Sequence, residues 1–184
     1  MKTFKSLTMA ALVAPSIGAE PPTADAFSTD VKCDTLAATY TRETSRQINH
    51  ILAEPGGAVS GRIVVDEGRP DGKWLSEISF VAQSPEKSVF TEMGFALCGD
   101  HKSVCIYSET SHGLDNRGSH AVSGQVQFHQ IVPFSIRTVD GRTWLFTYET
   151  TNVTLHFDHE VAGLVIKCVA VKGSVVFDLN PLVG

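Results

Sequence analysis

Past Gly57 the chain alternates apolar and polar residues with a period of two, one segment after another. Val89, Thr91, Met93, Phe95 and Leu97 fall on one side of an extended chain, and Phe90, Glu92, Gly94 and Ala96 on the other. Val126 and Phe128 oppose Gln125, Gln127 and His129, and Trp144, Phe146 and Tyr148 oppose Leu145 and Thr147. Val153, Leu155 and Phe157 oppose Thr154, His156 and Asp158; Leu164, Ile166 and Cys168 oppose Val165, Lys167 and Val169; Val175, Phe177 and Leu179 close the series. Successive side chains of a strand point to opposite faces, so this pattern predicts antiparallel strands with one buried and one wet face.

Turn chemistry agrees. Val139-Asp140-Gly141-Arg142 places an Asp-Gly pair between two strand-like runs, a strong hairpin signal because Gly tolerates positive φ. Arg69-Pro70-Asp71-Gly72 predicts a second turn and Lys172-Gly173-Ser174 a third. About nine or ten strands at this density predict an all-β fold, an antiparallel β-sandwich, with a closed β-barrel as the alternative. Between Asp34 and Ala53 the periods conflict: Leu36, Tyr40, Ile48, Ile51 and Leu52 partly fit a helical stripe, while Leu36, Ala38 and Tyr40 also fit a period-two strand, and Pro55-Gly56-Gly57 ends whatever precedes it. An extended piece near Cys33 followed by one short helix within 41–53 is the expected arrangement.

The beginning of the chain changes the chemistry of the rest. Lys2 and Lys5 precede an apolar run from Leu7 to Val13, then small residues to Ala19, the order of a signal peptide cleaved after Ala19. The run is far shorter than the roughly 20 apolar residues needed to span a bilayer. Residues 20–32, rich in Pro, Ala, Thr and Asp, are expected to form a flexible leader. Residues 33–184 are then a single secreted domain. In an oxidising compartment its four cysteines are expected to pair rather than hold metal, and they have no Cys-x-x-Cys spacing. Cys98 and Cys105 enclose a polar turn between two strand-like runs and predict a hairpin staple. Cys33 with Cys168 follows, closing a long loop worth about 4 to 5 kcal/mol in the chain-entropy model.

The formal charge of −5 moves to −7 once residues 1–19, with two lysines and no acids, are removed. Clustered Lys and Arg are missing, which argues against nucleic acid and anionic membranes as partners. Two groups of residues are candidates for chemistry. The polar segment Ser108 to His120 offers Glu109, His112, Asp115, Asn116 and His120 as binding residues, or as cation ligands without the fixed spacing of an EF-hand. His156, Asp158 and His159 form the densest ionisable run, an acid/base pair or metal cluster if the strand breaks at Asp158. Trp74 and Trp144 are candidate sugar-stacking aromatics, although Trp144 shares its face with Phe146 and Tyr148 and is expected in the core. Asn152-Val153-Thr154 is an N-glycosylation sequon if Asn152 is exposed.

No motif names a reaction, so no catalytic residue and no cofactor are assigned. The reading reached from sequence is a secreted, disulfide-stapled interaction module of effector or virulence type, binding an extracellular or host protein or a glycan through its loops. A secreted hydrolase or lyase acting on a polysaccharide or ester is the alternative, and a ligand-carrying barrel the weaker third.

Overall fold

A computed structural model describes residues 27–37, 40–43, 46–70, 76–84, 89–112, 120–149, 151–157 and 160–179. Its strands are β1 (Phe27–Asp34), β2 (Tyr40–Glu43), β3 (Ala58–Gly68), β4 (Glu77–Gln83), β5 (Val89–Leu97), β6 (Val104–His112), β7 (His120–Val126), β8 (Val132–Asp140), β9 (Thr143–Tyr148), β10 (Thr151–His156), β11 (Gly163–Val169) and β12 (Val171–Leu179). One helix, α1 (Arg46–Ala53), lies inside the predicted window. The strands form two six-stranded sheets, ordered β1-β12-β3-β8-β9-β10 and β2-β11-β4-β5-β6-β7, with antiparallel pairing at every described neighbour. The architecture is an open two-sheet sandwich, jelly-roll-like, rather than a closed barrel.

The inward faces carry apolar side chains, among them Phe95, Phe146 and Phe177 from the predicted alternating runs and others, on β4 and β8, from runs not singled out above. Ile78 and Phe80 of β4, Phe95 of β5, Phe134 and Ile136 of β8, Phe146 of β9 and Phe177 of β12 are all buried. Phe80 and Phe134 pack with ring centroids 4.9 Å apart, and Phe134 meets Phe177 edge-on at 5.4 Å. Tilted and edge-to-face geometries of this kind add to the area term, because ring edges and faces carry opposite partial charge. Helix α1 buries Ile48 and Leu52 into the same core. The Asn49 side chain of α1 accepts a 2.7 Å hydrogen bond from the Leu164 amide, which anchors the helix to β11.

Both disulfides pair as expected. Cys33 on β1 bonds Cys168 on β11, joining the two sheets, and Cys98 bonds Cys105 across the β5–β6 hairpin. In that hairpin Asp100 Oδ1 accepts from the amides of Lys102 (2.9 Å) and Ser103 (3.2 Å), a local Asx-type closure.

Three local expectations need correction. β1 begins at Phe27, within the stretch whose composition suggested a leader, because pairing with β12 from Phe27↔Leu179 to Asp34↔Lys172 supplies the order that composition alone does not. Lys172-Gly173-Ser174 is not a turn. It lies in β12, where a register shift brings Gly173 so close to β3 that a Cβ would sit 2.2 Å from the Val64 carbonyl oxygen. Ala170, φ 47°, is instead the bend at which the chain passes from β11 in one sheet to β12 in the other. The polar segment from Ser108 is also not one long loop: Ser108 to His112 continue β6 and His120 opens β7, with Glu109 opposite His120.

Candidate functional site

Period-two alternation leaves Glu77, Ser79 and Val81 of β4 on the face of their sheet turned away from the core. Register sets Lys167, Ser79, Gly94 and Tyr107 side by side across β11, β4, β5 and β6. Gly94 has no side chain there, and a Cβ would meet the Ile78 carbonyl oxygen at 2.4 Å and Ser79 Cα at 2.6 Å. The Tyr107 hydroxyl bonds the carboxyl groups of both Glu77 and Glu92. Lys167 Nζ lies 2.6 Å from an oxygen of each carboxyl group and donates a further 2.8 Å bond to Glu92 Oε2. Ser79 Oγ donates to Glu92 Oε1 at 2.6 Å.

This polar cluster is largely buried. Glu77 and Glu92 are each 3% exposed, although they lie on the outward face. Burial, reinforced by the charge of Glu92, raises the Glu77 pKa to about 7. Burial opposes ionisation of Glu92 as well, but the Lys167 ammonium and the donors Lys167, Ser79 and Tyr107 outweigh it and hold that pKa below the ordinary value. Burial works against the Lys167 charge too, yet the two carboxylates raise its pKa. Burial and the same two carboxylates raise Tyr107 far above an ordinary phenol.

Donor counting gives the same answer. Tyr107 has one hydroxyl hydrogen and two carboxyl partners, so both contacts are satisfied together in the protonated form of Glu77, whose carboxyl then donates to the Tyr107 oxygen while Tyr107 donates to Glu92 Oε1 at 2.7 Å. Two carboxyl groups pushed to opposite protonation states are the pattern of an acid/base pair. Here, however, the Lys167 ammonium already bridges them.

The room for a ligand lies elsewhere. A cavity of about 510 Å³ opens at one end of the sandwich, between the end of α1, the β8–β9 hairpin and residues 160–161. Leu52, Pro55, Val139, Trp144 and Val161 give it apolar walls, and Glu54, Thr138, Asp140 and Glu160 supply polar groups. The walls are tied to the scaffold. Thr138 donates through its amide to the Gly57 carbonyl (2.9 Å), and its hydroxyl contacts the carbonyls of Glu54 (3.3 Å) and Gly57 (3.2 Å). The Val161 amide donates to Gly141 (3.2 Å) and the Phe157 amide to Arg142 (2.8 Å). Trp144 is 4% exposed and packs edge-on against Phe157 at 6.0 Å, as its phase predicted, so it is a wall and not an open stacking platform. The Arg142 amide, 2.7 Å from Asp140 Oδ1, is the first of several donors that hold the Asp140 pKa below its ordinary value; the charge of His156 acts in the same direction.

The residues singled out from sequence are only partly gathered. His156 is exposed on β10, with Nδ1 3.4 Å from Thr143 Oγ1, while Asp158 and His159 lie outside the described residues. Glu109 is half-buried on β6. His112 and His120 hold positions on β6 and β7, and Asp115, Asn116 and Trp74 lie outside the described residues. No group of three or more His, Cys, Asp or Glu suited to a metal ion occurs among the described residues. The polar cluster and the cavity carboxylates escaped the sequence reading. A signal existed for the first: an acid or Lys at the outward phase of otherwise apolar strands, in EISFVA, FTEMGF and LVIKCV.

No family model matches this sequence, and no curated protein matches it. Solved structures of similar architecture include the galectin LEC-6 of Caenorhabditis elegans, with a TM-score of 0.45, 9% identity, and 80% of this chain and 94% of that chain covered. A homodimeric agglutinin from chicken liver, CG-16, gives a TM-score of 0.47 at 11% identity, covering 76% of this chain and 99% of that one. An alginate lyase from Alteromonas sp. 272 gives 0.44 at 7% identity, covering 83% and 75%. Lectins and an enzyme stand side by side at these scores, so the function is sought in this chain's own residues.

Proposed function

We propose that this chain is an extracellular β-sandwich that binds a neutral or amino-bearing glycan in the cavity at the end of its two sheets. The observation carrying the proposal is the composition of that cavity: apolar walls with Glu54, Asp140 and Glu160 among its lining residues, built on segments hydrogen-bonded to the sandwich. A sugar ring presents C–H faces, which apolar walls accept, and vicinal hydroxyls, which donate to carboxylates. The volume falls within the range of small-ligand sites. Three carboxylates disfavour phosphorylated or uronic polymers, in keeping with the acidic chain as a whole. The signal-like order of residues 1–19 and the two disulfides support an extracellular setting, and among the described residues no helix is long and apolar enough to cross a membrane. A host-derived glycan fits the effector-type reading of the sequence.

The hydrolase reading draws its support from the Glu77–Glu92 pair, but the ammonium between those carboxyl groups occupies the space a scissile bond would need. The glycan reading is tested by titrating the folded protein calorimetrically with neutral, amino-bearing and uronic oligosaccharides, alongside Glu54→Gln, Asp140→Asn and Glu160→Gln. Saturable binding of a neutral or amino sugar, weakened at least tenfold by the variants without loss of fold, is expected. Binding confined to uronic sugars, binding indifferent to the three carboxylates, or capture of a protein with no glycan dependence would overturn it.

A further inference from the structure

The two sheets end in four edge strands: β1, β10, β2 and β7. An edge offers unpaired backbone donors and acceptors to any other chain, and soluble proteins blunt such edges with charges, bulges or brevity. β1 carries exposed Asp30, Lys32 and Asp34. β2 is four residues long and exposes Arg42 and Glu43. β7 carries a register shift against β6 at Ile106/Tyr107, where Ser123 has no opposite partner. Among the described residues, β10 has none of these devices. Its six residues, TNVTLH, hold no Lys, Arg, Asp, Glu or Pro, and its pairing with β9 runs in uninterrupted register from Thr151↔Tyr148 to His156↔Thr143.

What β10 does carry is the Asn152-Val153-Thr154 sequon. Asn152 and Thr154 are both exposed on the same face, whereas Val153 and Leu155 turn toward the core. Thr147, directly opposite on β9, donates to Asn152 Oδ1 at 2.8 Å and fixes the amide plane on the surface. That bond uses the oxygen, not the nitrogen to which a sugar is joined.

We infer that Asn152 carries an N-linked glycan that shields the unprotected edge of β10 from strand addition. In the transfer, Asn152 Nδ2 loses one hydrogen as a proton and forms a bond to the anomeric carbon of an oligosaccharide. The bond from that carbon to its lipid-linked diphosphate carrier breaks, and the carrier leaves with the electron pair. No oxidant or reductant is needed. The sequon meets its structural condition, exposure, at the strand where a bulky hydrophilic group would offset the missing charges.

The experiment uses the full chain secreted from a eukaryotic cell. Intact mass is measured before and after treatment with a peptide N-glycosidase, with Asn152→Gln, Thr154→Ala and Thr154→Ser as variants. One glycan is expected on the wild type and on Thr154→Ser, none on the other two, and enzymatic release should leave Asp at position 152. Asn152→Gln and Thr154→Ala, with unchanged Tm, should then show at least a severalfold larger oligomeric fraction by light scattering. An unmodified Asn152 in the secreted wild type overturns the proposal. So does a glycan whose loss leaves association unchanged.

Discussion

Replacing Glu77 with Gln removes a proton-binding group whose folded-state pKa of about 7 stands well above its ordinary value of 4.5. Between those two pH values the folded protein holds up to one proton more than the unfolded chain, so stability falls as pH rises through the interval. The gap amounts to about 3 kcal/mol at 1.36 kcal/mol per pH unit. Its stabilisation is fully present below pH 4.5 and lost through pH 7. Glu92 runs the other way: its lowered pKa contributes stability above the ordinary carboxylate range and loses it as pH falls below. Lys167, raised, contributes until the solution becomes strongly alkaline. The cluster is therefore most stabilising near pH 5. Gln at position 77 stays neutral, can donate to Tyr107 and accept from Lys167, and should abolish the slope. The assay is urea unfolding of wild type and Glu77→Gln from pH 4.5 to 8. With an m-value of about 2 kcal/mol/M, the wild-type midpoint should drop about 1.5 M relative to the variant across that range. Two curves that run parallel across the range would refute the placement of the proton on Glu77.

Other perturbations follow from the same contacts. Lys167→Met strips two buried carboxyl groups of their ammonium and should cost about 3 to 5 kcal/mol at pH 8, less at pH 4.5; an equal loss at both, by chemical unfolding, would contradict the ion network. Gly94→Ala drives a Cβ into β4 and should lower stability by about 2 kcal/mol, roughly 6 °C in Tm for a chain this size; an unchanged Tm in calorimetry would deny the close approach. Replacing Cys33 and Cys168 together by Ser should cost about 5 kcal/mol, and Cys98 with Cys105 about half as much, because the loops span separations of 135 and 7 residues; the reverse order in urea titrations would count against the loop-length account. Glu77→Gln should leave sugar affinity unchanged and Asp140→Asn should leave the pH slope unchanged, as expected of sites without shared partners; coupling in either direction by calorimetry would tie the cluster to the cavity.

The strands could be read from residues 57–179 because burial of one face imposes a period of two. Val89 to Leu97 is a strand over the predicted residues, and the Asp140-Gly141 turn falls between β8 and β9. Sheet order could not be read this way, since pairing β11 with β4 or β12 with β3 joins residues far apart in sequence. Gly173 misled for a definable reason: glycine serves both turns and close strand approach, and only the Val64 carbonyl across the sheet tells them apart. Of the histidine run only His156 lies among the described residues. Alternation along β10 places His156 outward, away from the core, and no third ligand joins it among the described residues.

Chemistry and room are separated in this molecule by hydrogen-bond stoichiometry. On the face of β4, Tyr107, Ser79 and Lys167 all find partners in the carboxyl groups of Glu77 and Glu92, and both carboxyl groups are buried. A substrate entering there would have to break a desolvated ion pair before gaining a contact, a loss of several kcal/mol that few new hydrogen bonds would recover. At the sandwich end the balance is reversed. Glu160 and Glu54 are exposed, and in the proposed complex a sugar would cover apolar walls that gain from being covered. The buried cluster therefore governs how stability responds to pH, while the exposed carboxylates of the end cavity are the groups that can exchange water for a ligand.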